Sequence, residues 1–230
     1  MLTFLRKDGN KKRAFRVEGR PVNATPLIVV GYIFVANCDS SLHVNDTRTG
    51  REMRRVPLDG QVGSTGTVVG GMLYVGTMTN EVQGIDWKNG KIEWTFKAKR
   101  RQQPFFASVA VTDDLVIATS KDKRVDGLDR KTGHVVWSFL IGGQIDSSPM
   151  VVSKRVSFGA QDHNLYCLGR DGTTLEICWN HHELPPMRVM RFLRSGDGST
   201  SAWGGRRARA LNPTPGSKGP GGVPGPGHRE

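Results

Sequence analysis

The chain has 230 residues, with 33 Lys and Arg against 21 Asp and Glu, for a net charge of +12. The excess sits at the ends: residues 1–20 and residues 181–230 each carry a net +5, whereas residues 21–180 carry only +2. Charge acts on partners where it is concentrated, so the middle of the chain is not read as a nucleic-acid surface, and binding through the basic ends stays only as a second alternative. No stretch approaches the roughly 18 apolar residues of a membrane span. The opening apolar run, Met1–Leu5, is shorter than the roughly 7–15 residues of a secretory core, so no export signal is legible.

In chain order, residues 1–14 form a basic segment, and 14–19 read as the last strand of a preceding repeat unit. A regular beat then begins. Asp46-Thr47-Arg48-Thr49-Gly50, Asp86-Trp87-Lys88-Asn89-Gly90 and Asp129-Arg130-Lys131-Thr132-Gly133 are alike, and their glycines stand 40 and 43 residues apart. Gly169-Arg170-Asp171-Gly172 is one residue shorter and ends 39 beyond Gly133. A second marker keeps the same time: Asp39, Thr79, Asp122 and Asp162 are spaced by 40, 43 and 40. Two independent markers in one rhythm establish a repeat.

Each unit reads as four short strands rich in β-branched, aromatic and aliphatic residues. The units cover about 24–59, 63–102, 107–142 and 147–180. In Asp-x-x-x-Gly the carboxylate can accept turn N–H groups, and Gly takes positive φ without a Cβ clash. Four residues after that glycine stand Trp94 and Trp137, expected to pack on the neighbouring unit; the first unit has Arg54 there and the fourth Glu176. A 40-residue unit of four antiparallel strands is the signature of a β-propeller blade. The fold class is therefore all-β: four visible blades, read as part of a ring.

The pattern resembles the pyrroloquinoline-quinone-type repeat of the quinoprotein-like superfamily. It is carried by Ala24-Thr25-Pro26, Ser147-Ser148-Pro149, Tyr74-Val75-Gly76, the Asp86–Gly90 turn with Trp94, the Asp129–Gly133 turn with Trp137, and Asn164–Leu168. The resemblance spans about residues 15–180. The Gly-His and Trp-Asp pairs of WD repeats are missing. The resemblance implies a ring of seven or eight blades, often in exported or periplasmic proteins, and it leaves the compartment of this chain open. Each uncovered end of a four-blade arc is expected to expose ~400 Å² of apolar surface. At ~25 cal/mol per Å² that forfeits about 10 kcal/mol per face, comparable with a domain's net stability, so self-association or a protein partner is expected to cover it.

The repeat stops after Asn180. Residues 181–230 hold seven of 12 prolines and ten of 29 glycines. Such text cannot bury enough apolar area to offset ordering entropy and reads as disordered, the abrupt change also fitting a shifted reading frame.

Catalysis finds little support. Catalytic quinoproteins carry vicinal cysteines and a Glu/Asn/Asp cluster around calcium; this chain has no Cys-Cys pair, and Asp39, Asp122 and Asp162 are explained as turn residues. Catalytic, cofactor-binding and metal sites are accordingly expected to be none, with pyrroloquinoline quinone and calcium entering only if the chain is a fragment of an oxidoreductase. Cys178-Trp179-Asn180-His181-His182-Glu183 has metal-ligand residue types without structural zinc spacing. His43, His134 and His163, one per unit in three units, read as surface residues. Cys167 and Cys178 read as buried thiols, a cross-strand bridge being the alternative. Lys97–Arg101 with Phe105 and Phe106 is the one basic and aromatic cluster of the repeat region, read as a solvated loop whose aromatics enter the core. The leading expectation is a non-catalytic scaffold for protein–protein interaction.

Overall fold

The computed structural model of the chain describes residues 2–5, 11–15, 24–98, 103–173, 175–180, 192–194 and 200–202. The chain divides into two units, Met1–Leu184 and Pro185–Glu230. In the first, β1 (Leu2–Leu5) pairs antiparallel with β2 (Lys11–Phe15), so the basic N-terminal segment contains a hairpin. The strand expected over 14–19 lies mostly outside the described residues. Within the second unit the described residues form β19 (Phe192–Arg194) and β20 (Thr200–Ala202), an antiparallel pair; the expectation of a disordered or frame-shifted tail otherwise falls outside them.

Four four-stranded antiparallel sheets follow the hairpin, as the repeat requires. The first blade holds β3 (Leu27–Val29), β4 (Tyr32–Ala36), β5 (Ser41–Asp46) and β6 (Glu52–Pro57). The second holds β7 (Thr67–Val69), β8 (Met72–Gly76), β9 (Glu81–Asp86) and β10 (Lys91–Lys97). The third holds β11 (Ala110–Val111), β12 (Leu115–Thr119), β13 (Arg124–Asp129) and β14 (Val135–Leu140). The fourth holds β15 (Met150–Val152), β16 (Arg155–Gly159), β17 (Asn164–Gly169) and β18 (Leu175–Asn180). No helix occurs among the described residues.

The turn chemistry follows the sequence pattern. Asp86 accepts the N–H groups of Lys88 and Asn89 at 3.0 Å each, and Asp129 those of Lys131 and Thr132 at 3.0 and 2.8 Å. Gly50, Gly90 and Gly133 each donate their N–H to the aspartate carbonyl at 2.8 Å, with φ between 71 and 73°. The second turn is tighter. Ser40, Asn80, Lys123 and His163 all take positive φ there, and Asp39, Asp122 and Asp162 offset the strain by accepting the N–H two residues on, at 3.0, 3.0 and 3.3 Å.

The fourth strand of each blade carries one extra residue, a β-bulge. It falls at Met53, Glu93 and Val136 in the first three blades, three residues after the turn glycine, and at Cys178 in the fourth. The shortened turn of the fourth blade removes one residue, and the bulge moves outward to recover register at Leu165 and Trp179.

The core lies between blades, not within them. Phe34, Leu42, Val44 and Val56 pack on Leu73, Val75 and Ile85. Tyr74, Val82 and Trp94 pack on Val116, Ala118 and Leu128. Leu115, Ile117, Val125 and Trp137 pack on Val156, Phe158, Tyr166 and Leu168.

Candidate functional site

Two tiers of contacts join consecutive blades, and a row of polar side chains lies between them. Nearest the first strands, a chain of hydroxyls links equivalent positions 25, 65, 108 and 148. Thr65 Oγ1 donates to the Thr25 carbonyl at 3.1 Å, the Thr65 N–H donates to Ser108 Oγ at 3.1 Å, and the Ser108 N–H donates to Ser148 Oγ at 3.1 Å. The small residue before proline in the sequence marks this tier.

The outer tier is a tryptophan clasp. Trp94 Nε1 donates to the Arg130 carbonyl at 3.1 Å, and Trp137 Nε1 to the Arg170 carbonyl at 3.0 Å. Each indole sits between two glycines, one across its own sheet and one in the next blade's turn. A Cβ on Gly84 or Gly133 would stand 2.4 Å from Trp94, and one on Gly127 or Gly172 would stand 2.2 or 2.5 Å from Trp137. The expected packing of these tryptophans on the neighbouring blade is what the structure shows.

Between the two tiers, each blade places one polar residue on its third strand, four positions after the marker residue of the second turn. These are His43, Gln83, Asp126 and Tyr166. His43 is fully buried: Nε2 lies 2.8 Å from Asp39 Oδ2 and Nδ1 lies 3.0 Å from Glu52 Oε2. The reading of His43 as a surface residue is thereby corrected; both carboxylates come to it across a turn and a bulged register that local sequence spacing does not display. Burial pushes the Glu52 carboxyl up, but hydrogen bonds from Arg55 and His43 outweigh it and hold the pKa below the ordinary value. Gln83 donates to Asp59 at 2.9 Å, and Tyr166 donates its hydroxyl to Asp162 at 2.6 Å. Asp39 and Asp162 thus serve twice, one oxygen closing the turn and the other holding the third strand.

Asp126 is the outlier of the series. It is 3% exposed, and burial, with the Asp122 charge adding to it, raises its pKa to about 6 against the opposing pull of Ser138 and Arg124. It borders a cleft of about 870 Å³ between β10 and the pair β13–β14, shared with Asp122, Arg124, Lys97, His134 and Ser138. No group of three or more metal-ligating side chains is found among the described residues. A carboxyl protonated up to about pH 6 can donate a hydrogen bond there.

The other candidates disperse. His134 and His163 are exposed. His181, His182 and Glu183 lie outside the described residues. Lys97 pairs with Glu81 at 2.9 Å, residues 99–102 lie outside the described residues, and Phe105 is fully buried. Phe106 departs from the expectation that both aromatics enter the core: it stays 41% exposed, with Lys121 Nζ 4.7 Å over its ring. Cys167 and Cys178 form a disulfide with Cα atoms 5.8 Å apart, a separation within the range such bonds span. This corrects the reading of two buried thiols; Cys167 pairs with Glu176 across the sheet, and Cys178, two residues on, shares that face.

The fourth blade also changes the face that points away from the third. Where the other blades carry Tyr32, Met72 or Leu115 it carries Arg155, and where they carry Phe34, Tyr74 or Ile117 it carries Ser157. Glu176, at the position of the clasping tryptophan, pairs with Arg155 at 3.2 Å instead of reaching outward. At these seam positions the fourth blade thus carries an ion pair and a disulfide where an apolar face is expected, while Met150, paired with Ser157, stays 51% exposed. No helix among the described residues is long and apolar enough to cross a membrane.

Comparison with known proteins places these features in a family. A family model described as outer membrane protein assembly factor BamB matches residues 11–184, with a second match over 100–207. The outer membrane protein assembly factor BamB of Nitrosomonas eutropha is 30% identical over 123 residues, 53% of this chain and 29% of that protein; the chain thus spans less than a third of this curated relative. Among solved structures, BamB from Moraxella catarrhalis matches with a TM-score of 0.63 at 19% identity, covering 74% of this chain and 56% of that one. A quinohemoprotein alcohol dehydrogenase from Comamonas testosteroni matches with a TM-score of 0.62 at 16% identity, over 70% of this chain and 35% of that one. At such identities these structures share the propeller fold, and enzymes and non-enzymes alike are built on it. With its repeated turns, its tryptophan clasps and a family match running from residue 11 to residue 184, the chain belongs to the family of pyrroloquinoline-quinone-like propeller repeats described as outer membrane protein assembly factor BamB.

Proposed function

We propose that the chain is a non-catalytic propeller scaffold that presents its blades to a protein partner, and that it works in the assembly of outer-membrane proteins. The family match over residues 11–184 carries this reading, and the name of the Nitrosomonas relative supplies the assembly role. The Cys167–Cys178 disulfide supports residence in an oxidising compartment, where such bonds persist. The scaffold acts without quinone or calcium. The test is expression of the chain, in exported form, in a bacterium lacking its own protein of this family. Recovery of folded outer-membrane barrels, read by heat-dependent gel mobility, is the expected result, and no recovery from a chain that is present and exported overturns it. Cofactor absorbance and alcohol-dependent dye reduction after addition of pyrroloquinoline quinone and calcium would favour the oxidoreductase instead.

A further inference from the structure

The seam between the first and second blades is built differently from the two that follow. Arg54 holds the position of Trp94 and Trp137, and like them it overlies the turn glycine of the next blade: a Cβ on Gly90 would stand 3.1 Å from Arg54 Nη1. The residue paired with Arg54 across the sheet is Val44, where the other two blades have Gly84 and Gly127. Those glycines leave the room in which the indoles lie, and the Val44 side chain takes that room away. The first blade therefore sends no indole into its own seam.

What remains is a cleft of about 540 Å³. Its wall is aromatic and aliphatic. Trp87, from the turn of the second blade, lies 5.1 Å from the ring of Tyr32 and 5.0 Å, edge-on, from that of Phe34. Val44 and Val68 close the inner side. At the mouth stand Val30 and Met53, 88% and 60% exposed. Val30 has a φ of 45°, in the left-handed region where a β-branched side chain is strained. The second blade places Gly70 at the same turn position, with φ 62°. The first blade thus bears a local strain whose visible result is an apolar side chain held in solvent beside an apolar cleft. The charged side chains lining the cleft are Arg54 and Lys88, and no carboxylate lines it.

We propose that this cleft receives an aromatic side chain of a partner polypeptide, with a carboxylate beside that side chain meeting Arg54 and Lys88, an interaction that deepens the scaffold reading above and rests on it. The wall indicates the occupant, because Tyr32, Phe34 and Trp87 line the cleft with ring faces and edges on which a further ring packs. The two cations at the edge set the sign of the adjoining charge.

The probe is N-acetyltryptophan, with N-acetyltryptophanamide as its neutral counterpart, titrated into the full chain and followed by NMR. The chain has five tryptophans, and Trp87→Phe assigns the indole signal of that residue. The expected result is a saturable shift of the Trp87 indole and Met53 methyl signals in the millimolar range, about tenfold weaker for the amide. Arg54→Gln should remove most of that difference. The double substitution Val44→Gly with Arg54→Trp, which rebuilds the clasp of the following seams, should abolish the response. Met53→Glu, at an exposed position, should suppress it with the fold kept, so the outcome does not hinge on the double variant folding. No saturable shift, equal shifts from acid and amide, or an unchanged response in Met53→Glu would overturn the proposal. Absence of binding in a chain that restores outer-membrane barrels overturns the cleft alone. Binding in a chain that restores none strips the cleft of its polypeptide partner and overturns the proposal from the other side.

Discussion

Trp94 of the second blade lies against Gly133 of the third so closely that a Cβ on the glycine would stand 2.4 Å from Cε3 of the indole. Gly133 also has φ 71°, so two separate requirements meet on one residue. Gly133→Ala should lose roughly 1–2 kcal/mol from the left-handed backbone and a further 1–3 kcal/mol from overpacking. Gly70→Ala is the control: φ is 62° and nothing lies within 4 Å of the added carbon, so only the first cost applies. Urea denaturation of the two variants should show Gly133→Ala as the less stable by at least about 1 kcal/mol.

This seam marks how far the sequence could be read. Asp-x-x-x-Gly, its spacing and the tryptophan four residues on are local signals, and each became the turn or clasp it suggested. The partner glycines Gly84 and Gly127 were printed in the sequence but silent there, since only the register across β9–β10 and β13–β14 brings them under an indole. His43 was misread for the same reason, Glu52 reaching it across a bulge. The Cys167–Cys178 bond was an open alternative because only the register across β17–β18, which pairs Cys167 with Glu176, puts Cys178 on its face. Arg54 was visible as a departure from the pattern, yet the cleft it leaves depends on Val44, a residue unremarkable in any strand.

Replacing His43 separates burial from hydrogen bonding. His43→Leu leaves Asp39 and Glu52 without their buried partner and should cost about 2–4 kcal/mol. His43→Gln installs the residue that the second blade uses at this position, where Gln83 donates to Asp59, and should cost no more than about 1–2 kcal/mol. Equal losses in denaturant melts would mean that shape alone matters here.

Asp126 gives a pH dependence of definite sign. Its folded pKa of about 6 lies above the ordinary 3.8, so the folded chain holds this proton more tightly than the unfolded chain. Stability from this group is full below about pH 4 and falls as pH rises through about 6, by at most about 3 kcal/mol. Asp126→Asn should therefore stabilise the chain at pH 8 and give no gain at pH 4. The turn aspartates Asp46, Asp86, Asp129 and Asp171 run the other way: hydrogen bonds from Thr49, Asn89, Thr132 and Thr173 hold their pKa values low. Their contribution is present above the ordinary carboxylate value and fades as pH falls through the lowered ones. Melting curves at pH 4 and pH 8 on wild type and Asp126→Asn decide the matter.

The Cys167–Cys178 bond ties β17 to β18 in a blade that, like the first, lacks a clasping tryptophan. Closing a loop of this size is worth about 3 kcal/mol in the chain-entropy account. Alkylation of the unfolded, unreduced chain should label one of three cysteines, Cys38, and reduction should expose all three. Hydrogen exchange after reduction should quicken in β18 while β10 and β14, held by Trp94 and Trp137, stay protected. Uniform protection across the three strands would show that the bond adds nothing to the outer strand.

Every clasp points the same way along the chain: Trp94 reaches forward to Arg130 and Trp137 forward to Arg170. On the ribosome, an indole is made before the carbonyl that will receive it. At roughly 5–20 residues per second, Trp94 must wait on the order of 2–7 s for Arg130 to be added, and longer for it to clear the exit tunnel. During that interval the newest blade is a sheet with an unsealed greasy side, and each blade is sealed by the birth of its successor.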